Sequence, residues 1–336
     1  MRAFVCPRCG QLIFFDNTVC LRCDTAVAID PARRDVVALA EGQARCANAA
    51  IAACNWLADG EGELCRSCRL TRTRPNDDDH EALAALVIAE SAKRRLVFQM
   101  LGLGIELTPR DEASGTGVAF DLLSSSRRPV TTGHAGGIIT LDLAESDDVH
   151  REQVRQKMRE PYRTVLGHFR HEIGHYLFTV LVGDQDLAEA RQRFGDERQD
   201  YQAALDRHYA EGAPAGWERD HISEYATMHP AEDWAETVAH YLHIRGTLET
   251  AAAYRLRVEG PSVAATDDYA ADPVSLQASS IEAIIDTWLP LSYALNAVNR
   301  SMGADDLYPF VLPAAVIDKL GFVHRMVGRR GAVAVT

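Results

Sequence analysis

A chain of 336 residues, 47% apolar and 25% charged, can bury one large core or two moderate ones, as ordinary globular proteins do. The apolar runs at 82–89 and 176–182 are too short to span a membrane. The opening Met1-Arg2-Ala3-Phe4-Val5-Cys6-Pro7 lacks the apolar stretch and cleavage site of a secretory signal, so a cytoplasmic location is expected. The net charge of −13 argues against broad nucleic-acid binding, because affinity for phosphate backbones rests on clustered Lys and Arg.

All eight cysteines lie between Cys6 and Cys68. Without an export signal, cysteines paired at short spacing are more often metal ligands than disulfides. Cys6-Pro7-Arg8-Cys9-Gly10 and Cys20-Leu21-Arg22-Cys23 are two CxxC turns ten residues apart. Each turn aims two thiolates at one point, and together they make a closed four-thiolate shell suited to structural zinc. A closed shell has no open position, so this site is not expected to be catalytic. Cys46, Cys54, Cys65 and Cys68 form a second set with one CxxC, read as a second structural zinc site; seven residues separate Cys46 from Cys54. Buried thiols, or ligands interleaved between the two sets, stay open as alternatives. A region this small lacks area for its own core, so metal would supply much of its folding energy. Arg66, Arg69, Arg72 and Arg74 read as a solvated surface, with a docking site for an acidic protein partner as the alternative.

The remaining elements follow in order. Residues 75–79, Pro75-Asn76-Asp77-Asp78-Asp79, make a linker whose Asp78 or Asp79 can cap the next helix, expected over 81–101. The stretches 118–123 and 138–143 are β-leaning, and Gly133-His134-Ala135-Gly136-Gly137 before the second suggests a tight approach or a bulge. A helix is expected over 161–182, with Val165, Phe169, Ile173, Leu177 and Leu181 as one apolar stripe. Further helices are expected over 186–193, 201–209, 230–254, 281–302 and 314–327, with a loop at 211–220 and a polar stretch at 259–280 that is either a lid or an insertion. Three regions result: a zinc ribbon at 1–30, a second four-cysteine module at 31–75 and one larger domain at 76–336.

The helix over 161–182 carries His171-Glu172-Ile173-Gly174-His175. Histidines four residues apart project from one helix face and can share one Zn²⁺. Glu172, rotated by about 100° from His171, can take a proton from a metal-held water without ligating the metal. On a helical wheel both histidines fall opposite the apolar stripe, with His168 near the same face as a rival ligand. The helix from 230 supplies a third ligand: Glu232, Glu236 and His243 lie opposite Trp234, Val238, Tyr241 and Leu248. One of two carboxylates at this spacing can complete a three-ligand shell while the other fixes an imidazole N–H.

These residues resemble the gluzincins, zincin peptidases with an HExxH helix and a glutamate as third ligand. Glu232-Asp233-Trp234-Ala235-Glu236, with Tyr225 seven residues before Glu232, looks like the lethal-factor-type toxin peptidases. More of the chain resembles zinc-binding metallopeptidases with an N-terminal zinc-ribbon region. The stretches that carry this are Cys6-Pro7-Arg8-Cys9, Cys54-Asn55-Trp56, residues 64–75, the HExxH and the paired glutamates. The resemblance implies an α+β fold, a zincin-like metallopeptidase domain preceded by small zinc-ribbon modules. It implies one catalytic zinc on His171, His175 and Glu232, with Glu172 as base, Tyr225 steadying the oxyanion and Glu236 behind a ligating histidine. A twisted sheet would lie above the active helix, with 138–143 as an edge strand able to pair with an extended peptide. The expected function is hydrolysis of peptide bonds in a peptide or protein substrate by Glu-assisted attack of zinc-held water. The alternative is a zinc-stabilised binding or adaptor protein whose zincin domain does not turn over; the intact Glu172 favours the enzyme.

Overall fold

Short hairpins and shared aromatic side chains organise the cysteine-rich region. The structure, a computed structural model, describes residues 2–126, 128–147, 151, 164–258, 269–270 and 280–333. Its contacts divide the chain into a unit Ala3–Glu172 and a unit comprising Ile173–Thr336 with the first two residues.

In the first unit, β1 (Phe4–Val5) pairs antiparallel with β2 (Leu12–Ile13), and β3 (Val27–Asp30) with β4 (Asp35–Ala38). Phe4 and Phe15 are buried, but their packing partner comes from outside the hairpins. Their rings lie 6.0 and 5.3 Å from Phe98 of helix α1 (His80–Gly102), and the buried Trp56 lies 6.4 Å from the same ring. The cysteine-rich segment thus borrows an anchor from the helix that follows it. Asp79 caps α1, accepting from Ala82 N–H at 3.1 Å, as the linker sequence anticipates.

The main sheet has the order β5–β6–β8–β7, with β5 Thr71–Thr73, β6 Ala119–Leu123, β7 Gly133–Ala135 and β8 Ile138–Asp142. β5 and β8 run parallel to β6, while β7 is antiparallel to β8. The expectation that 138–143 is an edge strand is therefore corrected. The chain turns back through Gly136 and Gly137, so β7 takes the outer edge and β8 is interior. β6 is buried on both faces at Ala119, Phe120, Asp121 and Leu122, as an interior parallel strand should be. Helix α1 reaches it through Lys93, whose Nζ lies over the Phe120 ring; Phe169 of helix α2 (Val165–Leu181) packs on the same ring at 5.5 Å. The four arginines of the basic stretch each meet a carboxylate of their own chain: Arg66 with Glu106, Arg69 with Asp59, Arg72 with Asp121 and Glu112, Arg74 with Asp77.

The division between the units falls within α2. Its stripe of Val165, Phe169, Ile173, Leu177 and Leu181 is buried as the periodicity anticipates; residues 161–163, where the sequence suggests its start, lie outside the described residues. The second unit continues with α3 (Leu187–Phe194), α4 (Tyr201–Glu211), α5 (Pro230–Ala253), α6 (Ile281–Ser301) and α7 (Ala314–Val333). Of the polar stretch 259–280, Tyr269–Ala270 (β10) pairs with Arg257–Val258 (β9); the suggested lid otherwise lies outside the described residues. Among the described residues no helix is long and apolar enough to cross a membrane.

Helix α5 is the centre of this unit. Pro230 occupies its first turn, and His229 caps it, Nδ1 accepting from Ala231 N–H at 3.1 Å. Trp234, Val238, Tyr241 and Leu248 are buried as expected, and so are Glu232, Asp233, His240 and Arg245. Asp233 receives Lys319 Nζ of α7 at 2.6 Å, yet burial outweighs that attraction and pushes its carboxyl up to about 7. The Trp234 ring packs edge-on against Phe178, Phe194 and Phe322, and its indole N–H donates to the Gly174 carbonyl at 2.8 Å.

That bond marks a close crossing. A Cβ at Gly174 would stand 3.0 Å from Ala235 Cα and 3.1 Å from its carbonyl oxygen, both backbone atoms that cannot swing aside. Gly174→Ala is therefore expected to destabilise the protein by about 1–3 kcal/mol through overpacking. It should also weaken zinc binding at the HExxH, because the added methyl forces α5, and Glu232 with it, away from His175. Denaturant unfolding and zinc titration check both effects; a variant identical to the parent in both would show that this contact does not set the spacing.

Candidate metal centres

The cysteines sort into the two expected sets. The ligand atoms of Cys6, Cys9, Cys20 and Cys23 lie within 4.8 Å of one another, and so do those of Cys46, Cys54, Cys65 and Cys68. Interleaving of ligands is not what the geometry displays. The Sγ pairs Cys6–Cys23, Cys9–Cys20 and Cys54–Cys65 stand at 3.7, 3.6 and 3.6 Å. A disulfide requires about 2.05 Å. A zinc tetrahedron with bonds of about 2.3 Å places its sulfurs roughly 3.8 Å apart, so both quartets fit zinc. Thr25 Oγ1, 3.2 Å from Cys23 Sγ, holds that thiol down to about 6, toward the thiolate that a metal needs.

The quartets differ in setting. Cys9 and Cys23 are partly exposed, whereas all four members of the second quartet are buried. Helix α1 brings two buried charged side chains, Arg94 and Glu90, to the second quartet. Arg94 donates to the carbonyls of Ala52 and Ala53, just before Cys54, at 3.1 and 3.4 Å. Glu90 lies 3.9 Å from Cys68 Sγ and receives Lys93 Nζ at 2.8 Å. A cationic guanidinium beside a doubly negative four-thiolate zinc site offsets part of its charge.

The third group is His171, His175 and Glu232, whose ligand atoms again lie within 4.8 Å of one another. The histidines are one turn apart on α2, and Glu232 stands in the first turn of α5. His175 Nε2 and Glu232 Oε2 are 3.5 Å apart. Two ligands with bonds of about 2.0–2.1 Å at tetrahedral angles stand roughly 3.4 Å apart, so this pair fits one zinc. Three protein ligands leave a fourth position open, unlike the cysteine shells.

The other candidates have different placements. His168 Nδ1 lies 3.8 Å from Glu145 of its own unit and is not in the metal-capable group. His240 Nδ1 pairs with the Tyr308 hydroxyl at 2.8 Å, its ring 4.4 Å from Phe310, and His243 packs its ring 6.1 Å from that of His240. Glu172, next to His171, is only 9% exposed. Glu236 Oε2 accepts from Ser223 Oγ at 2.6 Å, and Ser223 Oγ accepts from Ala226 N–H at 3.1 Å. This chain ties Glu236 to the 3-10 turn Tyr225–Thr227, which carries Tyr225. Two partners escaped the sequence reading: Ser223, and Tyr201 of α4, whose hydroxyl donates to Glu232 Oε1 at 2.9 Å. Neither carries a spacing motif. A cavity of about 420 Å³ bounded by Arg193, Gly195, His221, Asp233 and Lys319 includes none of His171, Glu172, His175 or Glu232.

A mixed α/β chain with two four-cysteine centres and an HExxH helix facing a glutamate is a zinc-ribbon protein with a metallopeptidase-like domain. Residues 83–326 match the family described as "Putative zinc-binding metallo-peptidase", and residues 3–79 match a zinc-ribbon domain. The chain belongs to that zinc-binding metallopeptidase family. Uncharacterized proteins of Mycobacterium bovis and Mycobacterium tuberculosis are 52% identical to it over 333 residues, covering 97% of this chain and 95% of theirs. No solved structure matches it.

Proposed function

We propose that the protein hydrolyses peptide bonds at a zinc held by His171, His175 and Glu232, with two further zinc ions structural in the cysteine quartets. The observation that carries this is the convergence of two imidazoles and a 2%-exposed carboxylate on one point within 4.8 Å. A buried carboxylate turned toward two imidazoles is costly unless a cation is shared between them. When bound in a three-ligand shell, zinc acidifies a water and polarises the carbonyl it faces.

The chain's own groups supply the rest. Glu172, adjacent to His171 but rotated from the ligand direction, takes the proton of the attacking water and returns it to the departing amine. Tyr225, on a turn pinned through Ser223 to Glu236, donates its hydroxyl to the oxygen that becomes negative as the carbonyl is attacked. Glu236, half-buried one turn beyond Glu232, holds an imidazole N–H of a ligating histidine and so fixes its tautomer.

The test is incubation of the zinc-replete chain with a mixed peptide library, with chelator, without it, and with zinc restored. Cleavage that chelation abolishes and zinc restores is expected. Absence of cleavage from a chain carrying its third zinc would instead favour a non-catalytic binding protein.

A further inference from the structure

We infer that Tyr201 is a positioning residue that locks Glu232 into a one-oxygen presentation toward the metal. The inference rests on Glu232 being a zinc ligand and adds how that ligand is oriented.

A carboxylate can turn either oxygen, or both, toward a cation. Here the Tyr201 hydroxyl donates to Oε1 at 2.9 Å, while Oε2 stands 3.5 Å from His175 Nε2. The hydroxyl thus occupies one oxygen and leaves the other to the site. Tyr201 is 43% exposed, so its ring is not a core anchor. Its helix is weakly embedded too: within α4 only Ala204 is buried. The ring nevertheless has a defined neighbour. It packs 5.2 Å from the ring of His229, the residue that caps α5. His229 is fixed at both nitrogens, Nδ1 accepting from Ala231 N–H and Nε2–H donating to the Gln199 carbonyl, each at 3.1 Å. Asp200 caps α4, accepting from Ala203 N–H at 3.1 Å, and so sets where Tyr201 begins. The cap of the ligand-bearing helix therefore aims a hydroxyl at the ligand itself. An outer partner of a metal ligand reduces its freedom before the metal arrives, and losing one typically costs about ten- to a hundredfold in metal affinity.

The experiment uses the full chain with both cysteine sites loaded and titrates zinc into the third site against a chromophoric chelator. Tyr201→Phe keeps the ring on His229 and removes only the donor. It is expected to bind the third zinc about ten- to a hundredfold more weakly. Its melting temperature with the third site empty should stay within about 2 °C of the parent, a separation that a merely structural role would not give. Third-site affinity within about twofold of the parent would overturn the inference. So would a weakening accompanied by a matching loss of melting temperature. Glu232→Ala, run alongside, separates the two failures. If it keeps the third zinc at parental affinity, the ligand assignment falls and this inference with it. If it loses that zinc while Tyr201→Phe binds as the parent does, this inference alone falls.

Discussion

Glu172→Gln is expected to lower peptide turnover by at least about a hundredfold, and by up to about ten-thousandfold, without changing zinc content. The replacement keeps side-chain length and hydrogen-bonding capacity but cannot accept the proton. Glu172 is not among the three converging ligand atoms, so the metal should stay. Initial rates on any peptide the parent cleaves, with zinc measured in the same sample, check this. Unchanged turnover would remove Glu172 from the mechanism; turnover lost together with zinc would make its role structural.

The second large effect is expected at the buried cysteine quartet. Cys54→Ser should lose one zinc and lower the melting temperature of the Ala3–Glu172 unit by about 10 °C or more. Structural zinc binding is worth roughly 10–16 kcal/mol in small zinc peptides, as much as the whole stability of a typical domain. Here losing the ion would leave the three remaining buried thiols without it, next to the buried Arg94. Cys9→Ser should also lose one zinc, but with a smaller effect, since Cys9 is partly exposed and its loop can fray locally. Elemental analysis and thermal melting of the two variants side by side decide it. Equal melting temperatures would mean that the second quartet is no more integral to the fold than the first.

Much of this was readable in sequence because local periodicity carried it. The four-residue stripe from Val165 to Leu181 fixed which face of α2 is buried, and hence that His171 and His175 look the other way. The CxxC turns and the cap at Asp79 are local chemistry and appear where their spacing puts them. What the sequence concealed is contact between distant segments. Thirty-one positions separate Tyr201 from Glu232, and no periodic pattern links them. Gly133-His134-Ala135-Gly136-Gly137 announced a tight backbone, but not that β7 would fold over β8 and move the sheet edge outward. Nor does the sequence disclose how deeply α5 lies in its unit, because Glu, Asp and Arg are usually exposed. Here Glu232, Asp233 and Arg245 are buried, with Asp233 on Lys319 and Glu232 at the metal-capable group, and partners contributed by other helices made that burial tolerable.

The most direct test of the third, open zinc site is elemental analysis of protein purified without chelator. Three zinc ions per chain are expected for the parent, two for Glu232→Ala and three for Glu236→Ala at saturating metal. Two or fewer in the parent would contradict the account. So would three retained in Glu232→Ala but lost in His243→Ala, which would replace the glutamate ligand with a third histidine.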